Sequence, residues 1–219
     1  MNISNKLLKI SALIITSYLL IWTGLHGDDY TVISILDKTD IYGFLSFEGA
    51  PIMALNAVTY YSFWWPFYLF GNEYQWVYDL LKIVGHIIGV FFVYKFSKDY
   101  LPKDRAILVS IIFIFYPLHD TTTYWYMTVP YVLIPATILY AHHLIRNNKI
   151  ALGFIVSMLC AFSYYVSPPY TFGLSMIFLF EKKFKKAIIF VTPGVLYVAY
   201  YFWIKFHYVG VESRISSDL

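Results

Sequence analysis

The stretch Trp76-Val77-Tyr78-Asp79-Leu80-Leu81-Lys82-Ile83-Val84-Gly85-His86-Ile87-Ile88-Gly89-Val90-Phe91-Phe92-Val93-Tyr94-Lys95-Phe96 decides how the chain is read. About 20 mostly apolar residues suffice for a helix to cross a bilayer. Asp79, Lys82 and His86 fall at i, i+3 and i+7, so one helical face carries all three. The rest of the chain is similar in character. Its 219 residues are 59% hydrophobic, 21% aromatic and only 13% charged, with a mean hydropathy of +0.61. Soluble domains average about 25% charged residues. The same numbers exclude a disordered or collagen-like chain. The single cysteine, Cys160, excludes a disulfide scaffold. A net charge of +3 points to no nucleic-acid partner. An integral membrane protein is expected.

The predicted fold is all-α, a polytopic membrane helix bundle of about seven transmembrane helices at 7–25, 76–96, 106–118, 128–145, 150–166, 170–180 and 187–204. The third and sixth spans are short, and five helices with a re-entrant hairpin form the alternative. The first is too long for a signal-peptide core, and Trp22-Thr23-Gly24-Leu25-His26 lacks a small-x-small cleavage pattern, so it reads as retained. With no repeat or long linker, residues 1–219 form a single transmembrane domain, and 26–75 its one long outer loop. Tyr- and Trp-rich segments of that loop (30–45 and 51–70) suit helices lying in the membrane interface. Lys6, Lys9, Lys95, Lys98, Lys103, Arg105, Arg146, Lys149, Lys182, Lys183, Lys185 and Lys186 share one side of this layout, twelve of the sixteen basic residues. That side is cytoplasmic, which predicts a multi-pass protein of the cell membrane with its amino terminus inside.

Chemistry then belongs to the outer loop or the spaces between helices. His26-Gly27-Asp28-Asp29-Tyr30 places two carboxylates where the first span ends. They can cap the next helix, or one can act as a general base at the membrane surface. His119-Asp120-Thr121-Thr122-Thr123-Tyr124-Trp125 joins hydroxyls to aromatic faces, a combination that suits a sugar; a helix-capping turn beside an aromatic belt accounts for it equally. Either Asp79 and Lys82 neutralise each other, or Lys82 and His86 offer positive charge to a lipid-linked phosphate. Lys205 and Arg214 are outer-face cations open to the same role. His142-His143 and the Lys182–Lys186 run read as topology determinants touching anionic lipid. No spacing supports a metal site, although His26, Asp28, Asp29, His119 and Asp120 include metal-ligand types.

Gly27-Asp28-Asp29-Tyr30 after the first span and the 119–126 loop resemble the GT-C superfamily of polyprenyl-phosphate-dependent glycosyltransferases, above all bacterial members that decorate lipopolysaccharide O-antigen and other envelope glycans. The resemblance implies catalysis by Asp29, or by Asp28, as base. It implies a polyprenyl-phosphate-linked sugar as donor, a glycan or glycolipid as acceptor, inversion at the anomeric carbon and no cofactor. His26, Tyr30, Lys82, His86, His119, Asp120, Tyr124, Trp125, Lys205 and Arg214 would line the substrate site. Family members continue with further helices, so the chain corresponds to the shared seven-helix module: a minimal enzyme, a truncated one, or a subunit with a partner. The alternatives are a transporter or flippase using Asp79, Lys82 and His86 as a relay, and a non-catalytic membrane subunit.

Overall fold

The run around Gly85 folds as one uninterrupted helix. In chain order the elements are α1 (Asp28–Leu36), α2 (Trp65–Phe70), α3 (Gln75–Ser97), α4 (Lys103–Ile114), a 3-10 turn (Tyr126–Thr128), α5 (Val129–Arg146), α6 (Ile150–Ala161), α7 (Ser167–Phe180) and α8 (Phe184–His207). The computed structural model describes residues 6–11, 14, 22–36, 58–59, 64–114, 125–164 and 167–207, and among these no strand occurs.

Prolines fall where helices tolerate them at the starts of α2 and α7, because a first-turn residue needs no N–H partner. Two hairpins follow from two tight turns. At Asn148 the backbone is left-handed (φ 63°). The Lys149 N–H donates to Leu144 O (2.9 Å) and the Asn148 N–H to Ile145 O (3.2 Å), which closes α5 with a Schellman motif and starts α6. The α7–α8 turn repeats the pattern. Lys182 (φ 58°) takes the left-handed position, with Lys183 N–H on Phe178 O (2.8 Å) and Lys182 N–H on Leu179 O (2.9 Å). Asparagine is suited to that backbone; a lysine there costs about 1 kcal/mol.

The helices close on one another through small residues. A Cβ at Gly85 of α3 would stand 3.0 Å from Val129 Cγ1 of α5. One at Gly194 of α8 would meet Thr171 of α7, and one at Gly153 of α6 would lie 2.6 Å from Ile145 Cγ1 and 3.0 Å from the Ala141 carbonyl of α5. Small residues let backbones approach where apolar burial alone gives little drive. Two clusters of buried side chains result. One joins Leu25, Val32 and Ile33 to Trp64, Phe67, Tyr78, Tyr126 and Val129. The other packs α5, α6, α7 and α8 through Ile138, Ala141, Cys160, Phe178 and Phe190.

The expectation of about seven transmembrane helices is corrected. Among the described residues two helices, α3 (23 residues) and α8 (24 residues), are long and apolar enough to cross a membrane. Rise per residue explains part of the difference. The 12-residue α6 extends about 18 Å, well short of a 30 Å hydrocarbon layer, and the expected 106–118 span runs beyond Ile114 into residues outside the described ones. Helix α6 stops at Ala161 and turns at Phe162 and Ser163, inside the expected 150–166 span. Helix α5 reaches 18 residues but carries His142, His143 and Arg146. Residues 22–25, expected to finish the first span, are not helical, and 12–13 and 15–21 of that span lie outside the described residues. Of the expected interfacial segments, residues 37–57 and 60–63 lie outside the described ones, and α1 packs Val32 and Ile33 onto the aromatic cluster.

Gly153→Ala is expected to lose about 1–3 kcal/mol because α5 must move. Gly173→Ala, where an added Cβ meets nothing within 4 Å, is expected to gain about 0.5–1 kcal/mol from reduced chain entropy. Thermal unfolding of the two variants in detergent, followed by circular dichroism, should therefore shift in opposite directions.

Candidate functional site

Asp29 lies in the first turn of α1 and is fully buried. Its Oδ2 accepts the His26 N–H (3.0 Å) and the Tyr126 N–H (3.2 Å), and its Oδ1 accepts the Met127 N–H (2.9 Å). The first bond is the back-bond of a capping box. The other two satisfy donors at the start of the helical stretch that leads into α5. Burial holds the carboxyl above the usual carboxylate range, opposed by these three N–H groups and, more weakly, by Lys82. Three donors leave Asp29 little capacity to take a proton from a substrate; capping is what its geometry describes.

Asp28, its neighbour, is exposed, as is Tyr30. Trp125 packs over Gly27, where an added Cβ would lie 3.2 Å from its ring and where φ is +49°. The Tyr30 hydroxyl accepts from Gln75 Nε2 (3.4 Å). His26, Asp28, Asp29, Tyr30 and Trp125 are therefore assembled at one end of the bundle. His119, Asp120, Tyr124 and Arg214 lie outside the described residues. Lys205 is exposed in the last turn of α8.

Lys82 is placed deeper, 2% exposed. It pairs with Asp79 Oδ1 (2.9 Å) and donates to Thr23 Oγ1 (2.5 Å) and Gly24 O (2.8 Å). These acceptors match the three donors of an ammonium group, so nothing remains for a phosphate or a proton relay. Asp79 in turn accepts the Trp22 N–H (3.0 Å), the Thr23 hydroxyl (2.9 Å) and the Gly24 N–H (2.8 Å). Together the pair grips the non-helical segment 22–24. Gly24 suits that segment because its φ of +58° is a backbone conformation that other residues rarely adopt. His86, one turn along α3, is half-buried against the Phe113 ring of α4.

Below Asp29 lies an aromatic trio that sequence reasoning missed. Tyr78 contacts Phe67 (ring centroids 5.4 Å) and Tyr126 (5.0 Å), and its hydroxyl reaches Gly71 O (2.5 Å). Burial pushes the Tyr126 phenol far upward, with the charge of Asp29 adding to it, so it stays neutral.

A second polar group occupies the opposite end of α5. His143 Nδ1 lies 2.8 Å from Asp99 Oδ2, and Arg146 Nη1 is 2.5 and 2.7 Å from the two Glu181 oxygens while its guanidinium stacks 4.4 Å over the Tyr100 ring. Lys183 Nζ adds a 2.7 Å contact to Glu181. Arg146, then Lys183, hold the Glu181 carboxyl below its usual range; burial pushes the Tyr100 phenol up to about 12. Partners 35 or more residues apart left no local signal for these pairs.

Among the described residues no three His, Cys, Asp or Glu side chains gather as they would to hold a metal ion. No protein-family model, no curated protein and no solved structure matches the chain. The likeness to the GT-C superfamily rests on the residues quoted for it.

Asp29→Ala removes the acceptor of three N–H groups, one buried and two partly buried, and is expected to cost about 2–4 kcal/mol. Lys82→Met strands the Asp79 charge at a cost of about 3–5 kcal/mol, partly recovered in Asp79→Asn/Lys82→Met. Chemical denaturation of the purified chain measures both. A depressed carboxyl stabilises the fold above its unfolded pKa near 4.3, and that contribution disappears as pH falls through the lower folded value. The margin of wild type over Glu181→Gln, followed by melting temperature, should therefore be constant from pH 7 to about 5 and vanish at lower pH.

Proposed function

We propose that the chain is an integral membrane protein that transfers sugar from a polyprenyl-phosphate carrier to a glycan or glycolipid at the outer face of the cell membrane, in the manner of the GT-C superfamily. The membrane half of this reading is supported by the molecule's exterior. Trp76, Leu80, Val84, Ile87 and Phe91 of α3, and Ile188, Val195, Phe202 and Phe206 of α8, are exposed large apolar side chains. A molecule surrounded by water rarely shows such patches. Membrane crossing through α3 and α8 covers them. The interactions of Asp99, Arg146, Glu181 and Lys186 draw the basic turns 98–105, 146–149 and 181–186 to one end, consistent with a cytoplasmic location for that end.

The observation that carries the transfer half is the exposed carboxylate of Asp28, in a helix turn pinned by buried Asp29 and next in sequence to Gly27, over which Trp125 packs. The likeness assigns the base to this pair of residues, and with Asp29 committed to three N–H donors the role passes to Asp28. Deprotonating an acceptor hydroxyl there starts an in-line attack on the anomeric carbon, and the phosphate leaves with the electron pair. Trp125 and Tyr30 offer the faces on which a sugar stacks. Specific donor occupancy of Asp29 also favours a second reading, a non-catalytic membrane subunit whose outer end binds a partner.

Asp28→Asn separates them. Transfer from a polyprenyl-phosphate sugar by the full chain in proteoliposomes is expected to fall by about 10²–10⁴-fold, the usual worth of a general base, with the melting temperature unchanged. Undiminished transfer in Asp28→Asn would sink the catalytic assignment and leave the subunit.

A further inference from the structure

At the basic end, the turn between α5 and α6 and the turn between α7 and α8 border an open cleft of about 740 Å³. Lys182, Lys183, Lys185 and Lys186 line it on one side and Asn148 on the other, over a floor that includes Ile189. The charges do not balance. Glu181 is already shared between Arg146 and Lys183. Lys186 Nζ donates to two neutral oxygens, Arg146 O and Asn148 Oδ1 (both 2.8 Å). Lys182 and Lys185 are exposed. Three of the cleft's lysines, Lys182, Lys185 and Lys186, thus form no direct ion pair with a carboxylate among the described residues.

The lysines also sit against the ordinary rule for helices. Lys185 and Lys186 occupy the first turn of α8, where the positive end of the helix dipole disfavours cations. An anion in the cleft relieves both the mutual repulsion and the conflict with the dipole. The cleft also has an apolar lining: Ile150 of α6 and Phe184 and Ile189 of α8 stand among the lysines. A free phosphate has no use for that surface, whereas the acyl chains of a lipid do.

We propose that this cleft binds the phosphate of an anionic phospholipid from the membrane leaflet at the basic end. The headgroup lies among Lys182, Lys185 and Lys186, and the chains leave it over Ile150, Phe184 and Ile189. The site rests on the reading of the chain as a membrane protein and is independent of glycosyl transfer.

The test uses the full chain in neutral detergent, titrated with phosphatidylglycerol or phosphatidylcholine and read by native mass spectrometry. Wild type is expected to retain phosphatidylglycerol at least about tenfold more strongly than phosphatidylcholine. Lys182→Gln/Lys185→Gln removes two surface cations and should weaken phosphatidylglycerol about 30-fold without changing the lipid-free melting temperature. Lys95→Gln/Lys98→Gln, whose cations lie over the Phe91 and Tyr94 rings, should bind as wild type does. Unchanged affinity in the first variant, or equal loss in the second, overturns the site. Displacement of the lipid by micromolar inorganic phosphate overturns its lipid identity. Alkaline-carbonate extraction of wild type from phosphatidylcholine vesicles separates failure of the membrane reading: release would overturn that reading for both variants alike.

Discussion

A single buried carboxylate ties two distant parts of the chain together. Asp29 receives N–H groups from His26 in its own turn and from Tyr126 and Met127, whose donors stand 97 and 98 residues away. Each of those backbone groups would otherwise face an apolar interior without a partner, at a cost of several kcal/mol. The aromatic cluster of Phe67, Tyr78 and Tyr126 assembles around the junction this fixes. Without the carboxylate, α1 has no defined seat on the bundle and α5 no fixed beginning.

Polar side chains in this protein are few, and most of those described are spent on backbone or on each other. Asp79 and Lys82 form an ion pair, yet their larger role is to bind the backbone of residues 22–24. Lys186 tightens the end of α5 by donating to the Arg146 carbonyl. Between the two ends, contact passes to glycines at the helix crossings, which need no hydrogen bonds of their own. Exposed groups stand out against this economy. Asp28 at one end and Lys182 and Lys185 at the other are charged, accessible and outside the structural networks, and these are the positions assigned to ligands.

The helical class and the two longest helices were legible because 76–96 and 187–204 are long, mostly apolar runs. The span count was not. Hydropathy adds aromatic turn residues to the helix beside them, so Phe162 and its neighbours lengthened α6 on paper while the backbone turns there. Capping by the Asp28–Asp29 pair was legible as an alternative, since acids at a helix start are a local signal. Which of the two is buried was not, because Tyr126 and Met127 supply the decisive donors across the fold. The pairing of Asp79 with Lys82 follows from i, i+3 spacing; their hold on Thr23 and Gly24 depends on the chain leaving helical geometry at Trp22, which composition does not encode. Asp99 with His143 and Arg146 with Glu181 come together only through the packing of α5 against α3 and α7.

Helix α5 is also a ruler. Its 18 residues separate the acidic junction at Tyr126 from the basic turn at Arg146 by about 27 Å. Over that distance two unit charges interact by only about 0.6 kcal/mol at an effective dielectric constant near 20. The two ends are therefore nearly independent electrostatic compartments, and free-energy changes at one should add to those at the other within ordinary error. A molecule that touches both must be longer than most headgroups or sugars, so each end keeps its own ligand chemistry.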